Sequence, residues 1–251
     1  LIPGLHFEFQ AGYKDGINQQ RDTEAQIDYV TPQDVEVEDT FVWARLHQEL
    51  GNNHQVQYQT YYQLTDRAQE WRTCIGAFLL SKFGVDPEPL GVENSDYCAD
   101  ANLNGTEERF DIELQDTYTW NQYVRTVAGL RLREEKVESE TYLDGRYQNV
   151  TRSIFGNAEV KMTENWVANL GVSWEDDDFT DDFTAPRIAI NRHLGNNQVV
   201  RLIYSEAVRS PNIFECEGQQ LYRLRNVTFS DLWQGIIGPS AAANPAYAAL
   251  L

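Results

Sequence analysis

Residues 184–215, TAPRIAINRHLGNNQVVRLIYSEAVRSPNIFE, alternate apolar and polar side chains through two segments that meet at Gly195, Asn196 and Asn197. Ile188 and Ile190 alternate with Arg187, Ala189 and Asn191, and Val200, Leu202 and Tyr204 with Arg201, Ile203 and Ser205. A period of two belongs to a β-strand, whose successive side chains point to opposite faces. Two such runs joined at a glycine-containing turn predict an antiparallel hairpin with one face suited to lipid and the other to water.

The rhythm recurs. Residues 5–13 set Leu5, Phe7, Phe9, Ala11 and Tyr13 against His6, Glu8, Gln10 and Gly12. Residues 41–50 and 55–69 predict a hairpin around Gly51, Asn52 and Asn53, its second strand opposing Val56, Tyr58, Thr60, Tyr62 and Leu64 to Gln55, Gln57, Gln59, Tyr61 and Gln63. Residues 109–118 and 122–134 predict another, with Phe110, Ile112 and Leu114 against Asp111, Glu113 and Gln115. Its partner sets Val124, Thr126, Ala128, Leu130 and Leu132 against Arg125, Val127, Gly129, Arg131 and Arg133. Residues 149–162 and 166–174 pair across Thr163, Glu164 and Asn165, and the face Trp166, Ala168, Leu170, Val172, Trp174 is wholly apolar. At ~3.3 Å per residue and ~40° of tilt, its two indoles stand roughly 20 Å apart, the height of an outer-membrane barrel's apolar band. Two tryptophans of a soluble core are the other reading of that face.

Composition agrees once this geometry is granted. A net charge of −19, a pI near 4.5 and a mean hydropathy of −0.54 are those of an acidic soluble protein. In a barrel, however, every second residue faces water and polar loops dilute the average further. No run approaches the ~18 apolar residues of a spanning helix. The acidic balance argues against a nucleic-acid partner, whose phosphates would be repelled. Turns near Asn52, residues 118–121, Glu164 and Asn196 are short, and the opposite connections are several times longer on average, as in outer-membrane barrels. About nine strands leave two unpaired edges, which lipid does not tolerate, so an interior segment of a larger barrel is expected. The opening residues, LIPGLHFE, lack a basic region followed by an apolar core, so no secretion signal is read there.

The polar end of the last hairpin carries a further signature. Tyr204, Ser205, Ala207, Arg209, Pro211 and Glu215 fill the pattern Tyr-Ser-x-Ala-x-Arg-x-Pro-x-x-x-Glu, and residues 186–191 read Pro-Arg-Ile-Ala-Ile-Asn. In both respects the chain resembles the barrel of TonB-dependent outer-membrane receptors, over roughly residues 39–215. The resemblance implies an all-β, antiparallel, up-and-down transmembrane segment of a barrel of about 22 strands, with long extracellular loops. It also implies location in the outer membrane of a Gram-negative bacterium and uptake of an iron–siderophore complex or similarly bulky nutrient. The implied partners are outer-membrane lipid, the receptor's own plug domain, TonB acting through that plug, and the siderophore-like ligand. Neither a plug nor a TonB box is read in the chain, and its last residues, NPAYAALL, are no closing strand with a terminal aromatic. Residues 1–251 are therefore expected to form part of the barrel domain, with 216–251 as an extracellular loop.

Several side chains become candidates. Trp166 and Trp174 are expected in the aromatic girdles. Arg125, Arg131, Arg133, Arg201 and Arg45 would line the lumen, with Asp111 and Glu113 within cross-strand reach, for ion pairing or for contact with an anionic ligand or the plug. Cys74 and Cys98 lie in one long loop, where a disulfide would contribute ~3 kcal/mol in the chain-entropy model; two free thiols are the other possibility. Cys216 has no evident partner. Glu175, Asp176, Asp177, Asp178, Asp181 and Asp182 offer oxygen ligands to a loop calcium ion, or form a merely solvated loop, since EF-hand spacing is absent. The histidines His6, His47, His54 and His193 show no ligand spacing, and no cofactor or catalytic trio is read, so an enzyme is not expected. The alternative from a different class is a secreted, lectin-like soluble β-sandwich that binds a ligand.

Overall fold

The computed structural model describes residues 4–19, 34–74, 97–195, 198–219 and 225–229. In chain order the elements are β1 (Leu5–Asn18), β2 (Val35–Glu49), β3 (His54–Ala68), β4 (Glu70–Cys74), β5 (Tyr97–Asn102), β6 (Gly105–Thr119), β7 (Val124–Ser139), β8 (Gly145–Thr163), β9 (Trp166–Asp177), β10 (Thr180–His193), β11 (Val199–Ser205), α1 (Ile213–Glu217) and β12 (Arg225–Phe229). Nine strands make one sheet in the order β1-β2-β3-β6-β7-β8-β9-β10-β11, and three make a second, β12-β5-β4. Every pairing is antiparallel.

The alternation read from the sequence sorts the large sheet into two faces. One ladder row runs Phe7, Leu46, Tyr58, Leu114, Leu130, Ile154, Trp174. The residues this face presents are apolar yet uncovered: Leu130 is 53% exposed, Leu170 47%, Val172 51% and Leu202 73%. Water would not leave so many large apolar side chains bare on one surface of a monomer. The sandwich alternative finds no support here, since among the described residues no second sheet covers this outward face.

The register also gives the tilt. Within successive hairpins, partners in that row are 12 residues apart (46 to 58), then 16 (114 to 130), then 20 (154 to 174). Each strand thus climbs by about one residue relative to the short turns; at ~3.3 Å along a strand and ~4.8 Å between strands that is a tilt of about 35°, as in closed barrels. Measured from hairpin midpoints, Leu46, Tyr58, Leu114, Leu130, Leu170, Val172, Ile188 and Leu202 all lie about six to eight residues up, a level band. Higher up the outward face becomes charged: Lys136 reaches Glu134 at 3.1 Å, and Arg152 reaches Asp176 and Asp178, each at 3.2 Å. Asp116 departs from the pattern within the band and is bonded to His54 Nε2 at 2.5 Å.

The turns at the lower end are built as their sequences suggest. Gly51 and Gly195 adopt φ of 110° and 79°, a region that side-chain-bearing residues rarely enter. At the next hairpin Asn121 Oδ1 accepts from the backbone of Tyr123 and Val124 at 2.8 and 3.1 Å, closing an Asx turn.

At the upper end the strands run higher than the sequence reading gives. The stretches between residues 134 and 149 and between 174 and 184 are not long loops: β7 and β8 run on to a turn at 140–144, and β9 and β10 to a turn at 178–179. The loop after β3 contains the β4–β5 hairpin, which starts one residue beyond β3. Of residues 216–251, the described part includes the end of α1 and a strand, β12, that pairs with β5. Among the described residues no helix is long and apolar enough to cross a membrane.

Candidate functional site

The inward face carries a bonded polar lattice. Asp111 accepts from Arg131 Nε at 2.9 Å and Nη2 at 2.5 Å, and from Arg133 Nε at 3.2 Å. Register sets Arg131 opposite Glu113, yet its fork reaches diagonally to Asp111, so one carboxylate serves two guanidinium groups. Arg45 lies 3.5 Å from Glu8 through Nη1, donates to Gln59 from Nε and Nη2, and holds its Cζ 4.7 Å over the Trp43 ring. Arg125 faces Glu159 and Thr119 across the ladders, and exposed Arg201 faces Asn191. Gln63 and Thr65 both donate to Asp39. Two aromatics lie flat over glycines on this face: Phe41 over Gly12 and Phe155 over Gly129, where an added Cβ would sit 2.3 and 2.2 Å from the rings.

The segment after β11 folds back over this lattice. It leaves the sheet edge with Glu206 N donating to Pro186 O at 3.0 Å, and Ser210 Oγ then donates to Glu175 at 2.9 Å. Ile213 is buried with Val137 and Leu143, and Phe214 meets Tyr142 edge-on at 6.1 Å. Gln219 N donates to Tyr142 O at 2.7 Å, Arg225 Nη2 donates to both Glu140 oxygens at 2.8 and 2.6 Å, and β12 joins β5. One strap, described over 206–219 and 225–229, therefore runs from the β11 edge past β9, β8 and β7 and joins the small sheet. A cavity of about 230 Å³ lies beneath it, lined on the sheet side by Gln63, Thr65, Arg67, Arg109 and Glu135 and on the strap side by Asn212, Ile213 and Phe214.

The signature residues shape the strap's bend. Tyr204 and Ser205 end β11, and Tyr204 donates its hydroxyl proton to Glu206. Arg209 grips Glu215 with two bonds, of 2.9 and 2.8 Å. Glu215 also accepts from Asn212 N at 2.9 Å while its own N–H donates to Asn212 Oδ1 at 2.9 Å, a complete capping box for α1. The Arg209 guanidinium, and after it the Asn212 N–H, hold the Glu215 carboxyl down to about 2. The spacing Asn-x-x-Glu at 212–215 announces that box in the sequence, and it is the signal the strand-centred reading passes over.

The remaining candidates are placed as follows. Trp166 and Trp174 both lie on the outward face, Trp166 under Arg192 at 5.1 Å and Trp174 with its Nε1 donating to Asp182 at 2.8 Å. The acidic run belongs to β9, a tight turn and β10. Its Asp177 is buried and accepts from Asn149, Thr151 and Phe179 N at 3.0, 2.9 and 3.0 Å, and Ser153 donates to Glu175 at 3.0 Å. Among the described residues no cluster of three or more histidine, cysteine or acidic side chains is placed to hold a metal ion. Cys216 is free and exposed; Cys74 and Cys98 are partners in the β4–β5 register.

Against known proteins, the model of the family described as "TonB dependent receptor-like, beta-barrel" matches residues 4–244. No curated protein matches the chain. Among solved structures it is similar to the siderophore receptor PirA from Pseudomonas aeruginosa, at 11% identity and a TM-score of 0.47, covering 85% of this chain and 40% of that one. It is similar also to the P. putida toluene transporter TodX, at 11% identity and 0.41, covering 89% and 68%. A third is an R480A mutant of the ferric enterobactin receptor from Pseudomonas aeruginosa, at 10% and 0.40, covering 85% and 41%. The chain thus spans 40% of the length of the PirA chain it matches.

Proposed function

The chain belongs to the TonB-dependent receptor-like β-barrel family, and from that premise we propose that it forms part of the barrel of a receptor importing an iron–siderophore complex or a similarly bulky nutrient across a Gram-negative outer membrane. The family match over residues 4–244 carries this reading. Three features of the fold support it: an uncovered apolar band of constant height, a strand tilt near that of closed barrels, and an inward face of bonded charges. This family consists of receptors and transporters, and catalysis is not proposed.

In this reading the lattice around Asp111 faces the receptor's own plug, and TonB delivers energy through that plug. The long connections face outward from the cell, where the strap and the β12-β5-β4 sheet offer the ligand its first surface. The two guanidinium groups at Asp111 are already neutralised in part, so ligand recognition belongs to the upper rim rather than to the mid-lumen.

Uptake by the whole receptor tests this. In an iron-starved strain lacking other receptors, the full-length protein should restore growth on a ferric siderophore, and loss of the energising inner-membrane partner should abolish it. Uptake that persists without that partner would make the protein a passive channel and overturn the proposal.

A further inference from the structure

We infer that Cys74 and Cys98 form a disulfide that staples the small sheet at the upper rim. The register sets them on one rung: Glu70 pairs with Asn102, Trp71 with Ala101, Arg72 with Asp100, Thr73 with Ala99 and Cys74 with Cys98. Directly opposed residues of an antiparallel pair hold their Cα atoms ~4.5–5.5 Å apart, inside the ~4.4–6.8 Å that a disulfide requires. Two of the chain's 3 cysteines meeting on one rung is a demanding coincidence, because a slip of one residue would turn one of them to the other face.

That register is pinned from both ends. Only Gln69 separates β4 from β3; Leu103 N donates to Gln69 O, and Gln69 N to Asn104 Oδ1, each at 2.8 Å. On its other side β5 is held by β12, where Thr228 pairs with Cys98 and Phe229 with Tyr97. The hairpin therefore cannot shift without breaking contacts on both flanks. The rung that would carry the bridge also holds Thr228 of β12, so the staple fixes the strap's far anchor.

Formation is a two-electron oxidation. Each thiol gives up its proton, one S–S bond forms, and the electron pair passes to a disulfide-bearing oxidant that leaves as a dithiol. Such oxidants act in the compartment an outer-membrane protein crosses, so the native staple rests on the location proposed above. Cys216 lies exposed on α1 and stays a thiol.

The test uses the full-length receptor, purified from membranes without reductant and capped with N-ethylmaleimide before digestion and mass analysis. The expected product is a joined pair of peptides containing Cys74 and Cys98, lighter by two hydrogens than the reduced pair, with Cys216 capped. A second sample is reduced and then exposed to oxidised glutathione. Capped Cys74 and Cys98 in the native sample, with no bridge in the second, overturn the inference at its geometry. Capped thiols in the native sample that do bridge in the second overturn the native staple and fault the location while leaving the register standing. A bridge from either residue to Cys216 overturns the assignment.

Discussion

Along β9, Leu170 and Val172 stand about half exposed on a face that no described residue covers, while Asn169 and Gly171, one position away, turn toward the bonded polar lattice. The two faces share a backbone but not a source of stability. The outward side chains gain nothing from one another in water and need an apolar solvent outside the chain. The inward ones satisfy each other through hydrogen bonds and ion pairs, with Asp39, Asp111, Glu175 and Asp177 each accepting from at least two donors. A substitution should therefore cost according to its face rather than its chemistry.

The largest effect expected from that contrast is at Leu170. Leu170→Arg would place a charge at the height of the band and cost about 2–4 kcal/mol, the depth-dependent range for a lipid-facing arginine. Asn169→Arg, on the inward face, should cost no more than about 1 kcal/mol. Urea-dependent folding of the whole receptor into lipid vesicles measures both. Equal costs would dissolve the distinction between the faces and the membrane reading with it.

On the inward face, Asp111→Ala should be the most disruptive change. It strips the shared acceptor from Arg131 and Arg133, whose side chains are 35% and 26% exposed, while Asp111 is 9% exposed. Removing one partner of a fully buried pair costs ~3–5 kcal/mol; partial exposure of the arginines brings this to about 1–3. Glu113→Ala should cost less, since Glu113 opposes Arg131 only in register. The same folding measurement ranks the two, and a larger loss at Glu113 would contradict the diagonal pairing.

Gly129 tests the inward face on a smaller scale. A methyl there meets the Phe155 ring at 2.2 Å and Leu114 O at 2.9 Å. Gly129→Ala should cost about 1 kcal/mol, the low end of overpacking, because the ring can swing into the lumen. Adding Phe155→Leu should recover part of that loss, leaving the contact with the Leu114 carbonyl.

These cases also show what could be read in advance. The nine-strand sheet, its hairpins and the outward row were legible because a period of two repeats over many residues and fixes the face of each. The ends of the tall strands were not, since charged residues such as Glu138 and Asp176 extend a strand above the membrane as readily as they form a loop. Asp111's dual role was half legible: alternation puts Asp111, Glu113, Arg131 and Arg133 on one face, but which carboxylate the forks choose depends on side-chain reach that no pattern encodes. The strap's path was illegible apart from its capping box, because the pairing of β12 with β5 joins residues more than a hundred positions apart and only the folded sheet brings them together.

The strap offers the finest test, because its clamp is an exposed ion pair that water screens. Glu215 is held at about 2 against an ordinary value of 4.5, so its folded-state pKa is depressed. A depressed carboxyl stabilises the structure in full above its unfolded value and loses that contribution as pH falls through the folded one. The clamp and the α1 cap should thus hold from neutrality to about pH 4.5 and weaken progressively toward pH 2. A nitroxide on the exposed Cys216, one residue from Glu215, reads this directly: its mobility should rise over that window while a label at position 170 stays unchanged. Glu215→Gln should be mobile already at neutral pH and lose most of the response, because an amide keeps at most one acceptor for the Arg209 fork and carries no charge. A Cys216 label that ignores acid, or that responds equally in the Gln variant, would show that the burial of Ile213, and not the clamp, holds the strap across the inward face.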